Sequence, residues 1–360
     1  MNPLPLGLLS SAILLVAWFL TGRLRGYAIN RRVLDIPNPR SSHSVATPRG
    51  GGVSIVIATL VGLLVAGFLG SLPWPHVVGL MGSGSLVAAV GFIDDHRAIR
   101  RRWRLLAHFA AAAWVLCYLG GLPPLEIMGS VINPGWIGQA FALLYVVWVL
   151  NLTNFMDGID GIAAVEVITV AAGGILLYFV VSANASQWTA CVVLAAATLG
   201  FLPWNWPPAK IFMGDAGSGF LGLMLAALSV QAAGTDATLF WCWIILLGVF
   251  VVDATMTLTR RVLRGERIHE AHRTHAYQHA AMRWRGHRTV TLAVAAINLC
   301  WLLPLALAVA RHSLDGLIGV AVAYTPLIAL AAWIGAGSPA VTLEPPPPVL
   351  AEPNTTPTNS

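Results

Sequence analysis

Long apolar stretches recur from one end of the chain to the other, and polar positions gather in the short segments between them. Runs near 4–22, 52–72, 76–93, 105–121, 136–153, 162–182, 187–203, 219–233, 238–258, 290–310 and 315–335 reach or approach the length a helix needs to cross a bilayer, about 17–25 residues. The run at 219–233 is the shortest. The pattern predicts an all-α polytopic membrane protein with about eleven transmembrane helices. No basic segment precedes the first run and no small-residue cleavage site follows it, so it is expected to be retained as a helix.

Composition strengthens this reading. A chain that is 57% hydrophobic and 10% charged is outside the range of ordinary soluble domains. The basic residues then orient it. Alternating the connections places 23–50, 94–104, 204–218 and 259–289 on one side, and these hold all the lysine and arginine except Arg311. The positive-inside rule makes that side cytoplasmic, with the N-terminus periplasmic and the C-terminus in the cytoplasm. The net charge of +6 therefore serves topology and attracts phosphates and anionic lipid, and no nucleic-acid partner is expected. Cys117, Cys191, Cys242 and Cys300 lie singly within apolar runs and read as buried free thiols. Residues 1–335 form one membrane domain, and the Pro-rich 336–360 reads as a disordered tail. The prolines and glycines of Leu122–Gly135 predict a short outer hairpin.

Candidate chemistry lies in the cytoplasmic connections. Asn151-Leu-Thr-Asn-Phe-Met-Asp-Gly-Ile-Asp-Gly161 puts two amides and two carboxylates where an apolar helix meets water, a costly placement that usually marks function. Successive members are three residues apart and would fan around a helix, but Gly158 and Gly161 permit a break that turns them to a common point. Asn154 can offer a carbonyl to a cation, and Asp157 and Asp160 can accept hydrogen bonds from a ligand, although Asp160 could equally cap the next helix. Asp94-Asp95 ends the third run; crowded carboxylates call for a metal ion or a raised pKa, unless Arg97 and Arg100–Arg102 neutralise them. Asp215 lies between glycines before the eighth run, where it could also serve as a cap; Lys210, the only lysine, precedes it. Magnesium takes oxygen ligands, often one or two carboxylates plus a substrate phosphate, so Asp215 with Asn154 suits it. The amides of Gly50–Gly52 could cradle a phosphate, or the segment could be a solvated turn. In Arg267-Ile-His-Glu-Ala-His-Arg-Thr-His-Ala-Tyr-Gln-His279, helical spacing would group the histidines. The neighbouring arginines favour a diphosphate over zinc there. Asp253, sharing a helical face with Thr257 and Arg260, is expected to pair within its own helix.

Taken together, Asp94-Asp95, Asn151-x-x-Asn154-x-x-Asp157-Gly-x-Asp160-Gly, Pro208-Ala-Lys-Ile-Phe-Met-Gly-Asp215-x-Gly-Ser218 and a C-terminal His-rich loop resemble the MraY/WecA superfamily of polyprenyl-phosphate N-acetylhexosamine-1-phosphate transferases. The resemblance covers nearly the whole chain. It implies Mg2+, with Mn2+ able to substitute, on Asp215 assisted by Asn154. It implies catalytic roles for Asp94, Asp95, His272 and His275, and substrate contacts from Asp157, Asp160, Lys210, Arg273 and His279. The implied partners are a UDP-N-acetylhexosamine, undecaprenyl phosphate and the bilayer, and a homodimer is compatible with the family. The family's His-loop has near-contiguous histidines, whereas here it reads His272-Arg-Thr-His275-Ala-Tyr-Gln-His279, closer to the WbpL-like branch that initiates O-antigen chains. That likeness favours a 6-deoxy donor over UDP-GlcNAc. A peptidoglycan-precursor transferase of the MraY type and, from another class, a secondary transporter are the alternatives. Transporters usually place ionisable groups at the bilayer midplane, and here the acids gather at one face.

Overall fold

Helix α8 (Asp215–Ala233) is the axis around which the rest is arranged. Every residue from Ala216 to Ala233 is buried within the protein. Lipid offers no hydrophobic drive between helices, so close backbone approach has to supply the packing, and small residues permit it. A Cβ on Gly222 would sit 2.8 Å from the Leu150 Cα, and one on Gly217 would sit 2.6 Å from the Gly52 Cα. The computed structural model describes residues 3–37, 45–97, 99–181, 187–266, 273–284 and 286–339.

Around this axis run α1 (Pro3–Asn30), α2 (Val53–Phe68), α3 (Trp74–His96), α4 (Arg101–Leu119), α5 (Gly135–Met156), α6 (Ile162–Val181) and α7 (Trp188–Asn205). After α8 come α9 (Thr238–Leu246), α10 (Gly248–Leu263), α11 (Ala276–Arg283), α12 (His287–Ile297), α13 (Leu303–Ala310) and α14 (Gly316–Ile334). Helices α9 and α10 form a broken pair bent by 68°. A π-helical turn at Asn298–Leu302 joins α12 to α13. There Asn298 donates to the buried Glu166 of α6 at 2.7 Å. Two small hairpins complete the described residues. β1 (Leu34–Asp35) pairs antiparallel with β2 (Thr47–Pro48). β3 (Leu125–Ile127) pairs with β4 (Ser130–Ile132) across Met128 and Gly129, the hairpin that the outer loop's composition predicts.

By length and composition, eight described helices qualify as membrane spans, or nine with the bent pair. The pattern of eleven runs also counted α2 and α4. Helix α2 has 16 residues, and α4 carries Arg101, Arg102 and Arg104 in its first turn, so neither meets those criteria. Both nonetheless run the length of the bundle. Helix α2 starts where Gly52 meets Gly217 at the beginning of α8, and the turn after it leads to His76, which pairs at 3.0 Å with Gln231 near the end of α8. Helix α4 starts with Arg104 beside Asp215 and ends near Leu122, whose amide donates to Gln139 at the start of α5. The polar connections are thereby sorted to two ends. One end collects residues 49–52, 94–97, 99–104, 154–161, 205–218, 273–284 and 286–287; the other holds the β3–β4 hairpin, where the Met128 amide donates to Asp315.

Lipid-facing apolar residues cover the outside, among them Leu15, Phe68, Trp136 and Trp333. All four cysteines are free; Cys191 and Cys242 are buried as expected, but Cys117 and Cys300 lie on this outer surface. At the C-terminus Ala336 is buried and the Gly337 amide donates to the Thr274 carbonyl at 2.6 Å, so the first residues of the expected tail are fixed to the body. The remainder, 340–360, lies outside the described residues.

The close approach of α3 to α8 gives a direct test of this packing. A Cβ on Gly91 of α3 would sit 2.6 Å from the Ala216 amide nitrogen, against backbone that cannot yield as a side chain does. Gly91→Ala is expected to lower the thermal midpoint in detergent by several degrees, with overpacking costing about 1–3 kcal/mol. Gly7→Ala, with open space around it, should leave the midpoint unchanged. Equal midpoints for the two variants would contradict the packing.

Candidate active site

The carboxylates meet where α3, α5 and α8 share an end. Asp95, the penultimate residue of α3, is almost wholly buried, with its side chain 2% exposed. A buried charge must be paired and hydrogen-bonded, and Asp95 meets this requirement with partners from two other segments. Its carboxylate pairs with Arg49 and accepts the Asp215 amide at 3.1 Å and the Ala216 amide at 3.3 Å. It therefore occupies the N-terminus of α8, where unsatisfied amides and the helix dipole favour an anion. Burial opposes the charge on Arg49, but Asp95, with help from Asp215 and Asp35, outweighs it and raises the arginine's pKa. Asp94 is equally committed. It accepts the Ile99 amide at 2.7 Å and Arg104 at 2.6 Å. The pair was expected to need a metal, a raised pKa or the arginines at 97 and 100–102. Arg49 and Arg104 neutralise it instead.

Asp215 begins α8 and faces Asn154 near the end of α5. The Asn154 amide nitrogen donates to Asp215 at 3.2 Å and to Ser218 at 2.9 Å, which leaves the amide oxygen without a protein partner among the described residues. Arg104 reaches to 3.9 Å from Asp215 while holding Asp94. Asp157 follows at the end of α5 and is half-buried with no hydrogen-bond donor among the described residues. Its burial, together with the charges of Asp215, Asp160 and Asp95, pushes its pKa well above the ordinary carboxylate value. Asp160 is tied into the scaffold. It accepts the Ala209 amide at 3.0 Å and faces His287 at 3.2 Å, rather than capping α6.

The His-containing loop docks through Asp253. This buried acid of α10 accepts the Ala276 and Tyr277 amides, both at 2.9 Å, and faces His275 at 3.2 Å. Thr257 donates to it as expected within α10, but its principal task is to seat the N-terminus of α11. The Tyr277 hydroxyl then donates to the Phe155 carbonyl at 3.0 Å, bringing α11 against the end of α5. His275 is thus enclosed rather than presented beside the carboxylates. Arg273 is half-buried, its Nε lacks a partner among the described residues, and burial lowers its pKa. The Nε2 of His279 is also buried without a partner among the described residues. His272, expected to be catalytic, lies outside the described residues, as do Arg267 and His269.

Two expectations change. The amides of Gly51 and Gly52 are spent on the Phe212 and Met213 carbonyls at 2.9 and 2.8 Å, so they offer no phosphate cradle. Those glycines are needed for space, since a Cβ on Gly52 would lie 2.8 Å from the Met213 Cγ. Lys210 is exposed, and its ammonium lies 5.7 Å from the centre of the Trp204 ring; among the described residues no contact brings it to the carboxylates. Sequence reasoning missed Asp253, Ser218, His287 and Tyr277 as organisers. An acid inside the apolar run at 238–258 was the one signal for Asp253.

Comparison with known proteins agrees with this geometry. Residues 77–233, which contain the carboxylate cluster, match the family model Glycosyl transferase family 4. A Bacillus subtilis protein named probable undecaprenyl-phosphate N-acetylglucosaminyl 1-phosphate transferase is 28% identical over 300 residues, covering 79% of this chain and 80% of the relative. A Mycolicibacterium smegmatis decaprenyl-phosphate N-acetylglucosaminephosphotransferase is 33% identical over 258 residues, 64% of this chain and 60% of its own. A Streptococcus thermophilus phospho-N-acetylmuramoyl-pentapeptide-transferase is 32% identical over 228 residues, 59% and 65% of the two chains. The fold is that of a multi-pass membrane protein whose residues 77–233 match glycosyl transferase family 4. Together these likenesses support the MraY/WecA superfamily.

The donor set fits a hard divalent cation. No three His, Cys, Asp or Glu side chains form a closed cage among the described residues. Asp215 and the Asn154 oxygen, unpartnered among the described residues, are a sparse oxygen pair of the kind that magnesium would complete with water and substrate phosphate. The crowding at Asp157 predicts a pH effect. A carboxyl whose folded pKa is raised weakens the fold once pH exceeds its ordinary value of 3.8, and the penalty grows up to the raised value. In cation-free protein, Asp157→Asn should raise the thermal midpoint at neutral pH, and the gain should vanish below about pH 4. A gain independent of pH, or a loss at neutral pH, would refute this assignment.

Proposed function

We propose that this chain transfers N-acetylhexosamine 1-phosphate from a UDP-sugar to a polyprenyl phosphate of the undecaprenyl type. UMP leaves, and the product begins a lipid-linked envelope glycan. The observation that carries the reading is the cluster at one end of the bundle: Asp215 and Asn154 as an oxygen pair, with Asp157 and the nitrogens of Arg273 and His279 unpartnered among the described residues. The names of the relatives share a prenyl-phosphate acceptor or an N-acetylhexosamine 1-phosphate donor group, which supports the same class. The expected setting is the cytoplasmic face of a bacterial inner membrane, from the basic-residue asymmetry.

A phosphate oxygen is already a nucleophile, so the residues must chiefly position two anions and offset their charge. The lipid phosphate attacks the β-phosphorus of the donor, the β-phosphorus–oxygen bond to the α-phosphate breaks, and UMP carries away the bonding electrons. Magnesium, with manganese as a substitute, would bind Asp215 and Asn154 and supply charge neutralisation at the diphosphate. Arg104, next to Asp215 and Asp94, holds positive charge at the edge of the cluster. Asp94 and Asp95 act here through positioning: Asp95 fixes the start of α8 and Asp94 fixes Arg104. Arg273 and His279, with His272, would grip donor phosphate oxygens, while Asp157 and Asp160 line the nucleotide-sugar side. His275 and Asp253 hold that loop against α5. An apolar groove between α10, α11, α12 and α14, lined by Val252, Tyr277, Ala280, Val294, Leu327 and Ala331, gives the isoprenoid a lateral path.

The donor sugar is the finer part of the proposal. The His-loop pattern favours a 6-deoxy N-acetylhexosamine and an O-antigen-type product. Membranes containing the protein, undecaprenyl phosphate and magnesium should be given a panel of sugar-labelled UDP-N-acetylhexosamines, including 6-deoxy forms and the pentapeptide donor. Label is expected in the organic phase with one UMP per lipid product. Asp215→Asn, still membrane-inserted, should lose at least about a hundredfold in rate, the scale of several kcal/mol of lost charge stabilisation. Release of UDP would mean ordinary glycosyl transfer, and no lipid product from any donor would favour a transporter.

A further inference from the structure

His108, on the second turn of α4, has no part in the site as described so far. It is buried, 6% exposed, and its Nδ1 has no partner among the described residues. A buried polar atom left unpaired is costly, so this nitrogen calls for a partner. Among the described residues its side-chain hydrogen-bond neighbour is the amide of Asn151, whose nitrogen is already engaged by the Val147 carbonyl at 2.7 Å. The amide therefore presents its oxygen to the imidazole. With Nδ1 unpartnered, the contact to Asn151 runs through Nε2–H, which makes Nδ1 the acceptor of a neutral ring.

Beside the ring lies a small, partly open cell between α3, α4, α5 and α8. Its volume is about 10 Å³, and its polar lining is Arg104, His108, Asn151, Asn154 and Asp215. A water needs at least roughly 10–15 Å³ of such space and two to four polar partners. The cell meets the lower limit of size and has the partners. Asn154 and Asp215, the two residues assigned to the cation, form part of its wall.

We propose that His108 is a positioning residue of the cation site: one water in this cell donates to its Nδ1 and to Asp215, and so fixes the Asp215 and Asn154 side chains for the metal. The inference rests on the cation reading above. Groups that orient metal ligands without touching the metal typically change affinity by about 10–100-fold when removed. Asn151 belongs to the same device, because it sets the ring's tautomer.

Direct metal binding tests this without relying on turnover. Free Mn2+ is measured by electron paramagnetic resonance during titration of purified full-length protein in detergent. Wild type should bind Mn2+ saturably and Asp215→Asn should not. His108→Gln, which keeps a group near Nε2 but has no acceptor at Nδ1, is expected to bind Mn2+ about 10–100-fold more weakly. His108→Asn, whose amide can stand in place of Nδ1, should stay within about threefold of wild type, below the effect of losing such a group. Each variant is first matched for thermal midpoint without metal. Equal Mn2+ affinity for wild type and His108→Gln would overturn the role of His108 while leaving the cation site standing. Absence of saturable Mn2+ binding in wild type would overturn the cation reading and this inference together.

Discussion

The buried carboxylate of Asp95 is the constraint from which the rest of the site follows. Hardly exposed at all, it must collect donors or forgo its charge, and it finds them on Arg49 and on the first two amides of α8. Those contacts join three segments distant in sequence. The backbone is shaped around them: Gly214 has a φ of +79°, and a Cβ there would lie 2.7 Å from an Asp95 oxygen. Any side chain at 214 would meet both a strained conformation and the carboxylate. Because Asp215 is the next residue, its direction is set by the same clamp.

Two clamps of the same type assemble the two halves of the site. Asp95 from α3 seats α8, and Asp253 from α10 seats α11. Each uses a buried acid to satisfy the amides of another helix's N-terminus. The first delivers Asp215 to Asn154; the second delivers Tyr277 to the end of α5 and places Arg273 and His279 in the same neighbourhood. The oxygens proposed for a cation thus stand at the start of α8 and near the end of α5, while the basic groups suited to a diphosphate stand on a docked loop.

Much of this was legible in the chain. Apolar runs mark helices because the bilayer requires every backbone group to be satisfied internally, and basic residues sort the connections. Asp94, Asp95, Asn154, Asp157 and Asp215 stood out because acids and amides at the ends of apolar runs are costly. Their partners did not. Arg49 looked like one of many orienting arginines, and only tertiary proximity singles it out for Asp95. The glycines at 51 and 52 looked like an anion cradle, yet they serve a close crossing with 211–217, which no local pattern encodes. His275 was grouped with its neighbours by helical spacing, whereas the loop is extended at that position and turns the ring toward Asp253. Helix α2 was legible as an apolar run despite being only 16 residues long.

The central claim, that the Arg49–Asp95 pair joins the glycine segment and α3 to the start of α8, is tested most directly by a double-mutant cycle. Thermal unfolding in detergent would be compared for wild type, Arg49→Gln, Asp95→Asn and the double variant. Both substitutions remove the charge, and Asp95→Asn retains an acceptor for the α8 amides. Contacting residues couple by about 0.5–3 kcal/mol, so the double variant should be little less stable than the weaker single variant. Losses that simply add would mean that the two residues act independently, and would contradict the clamp.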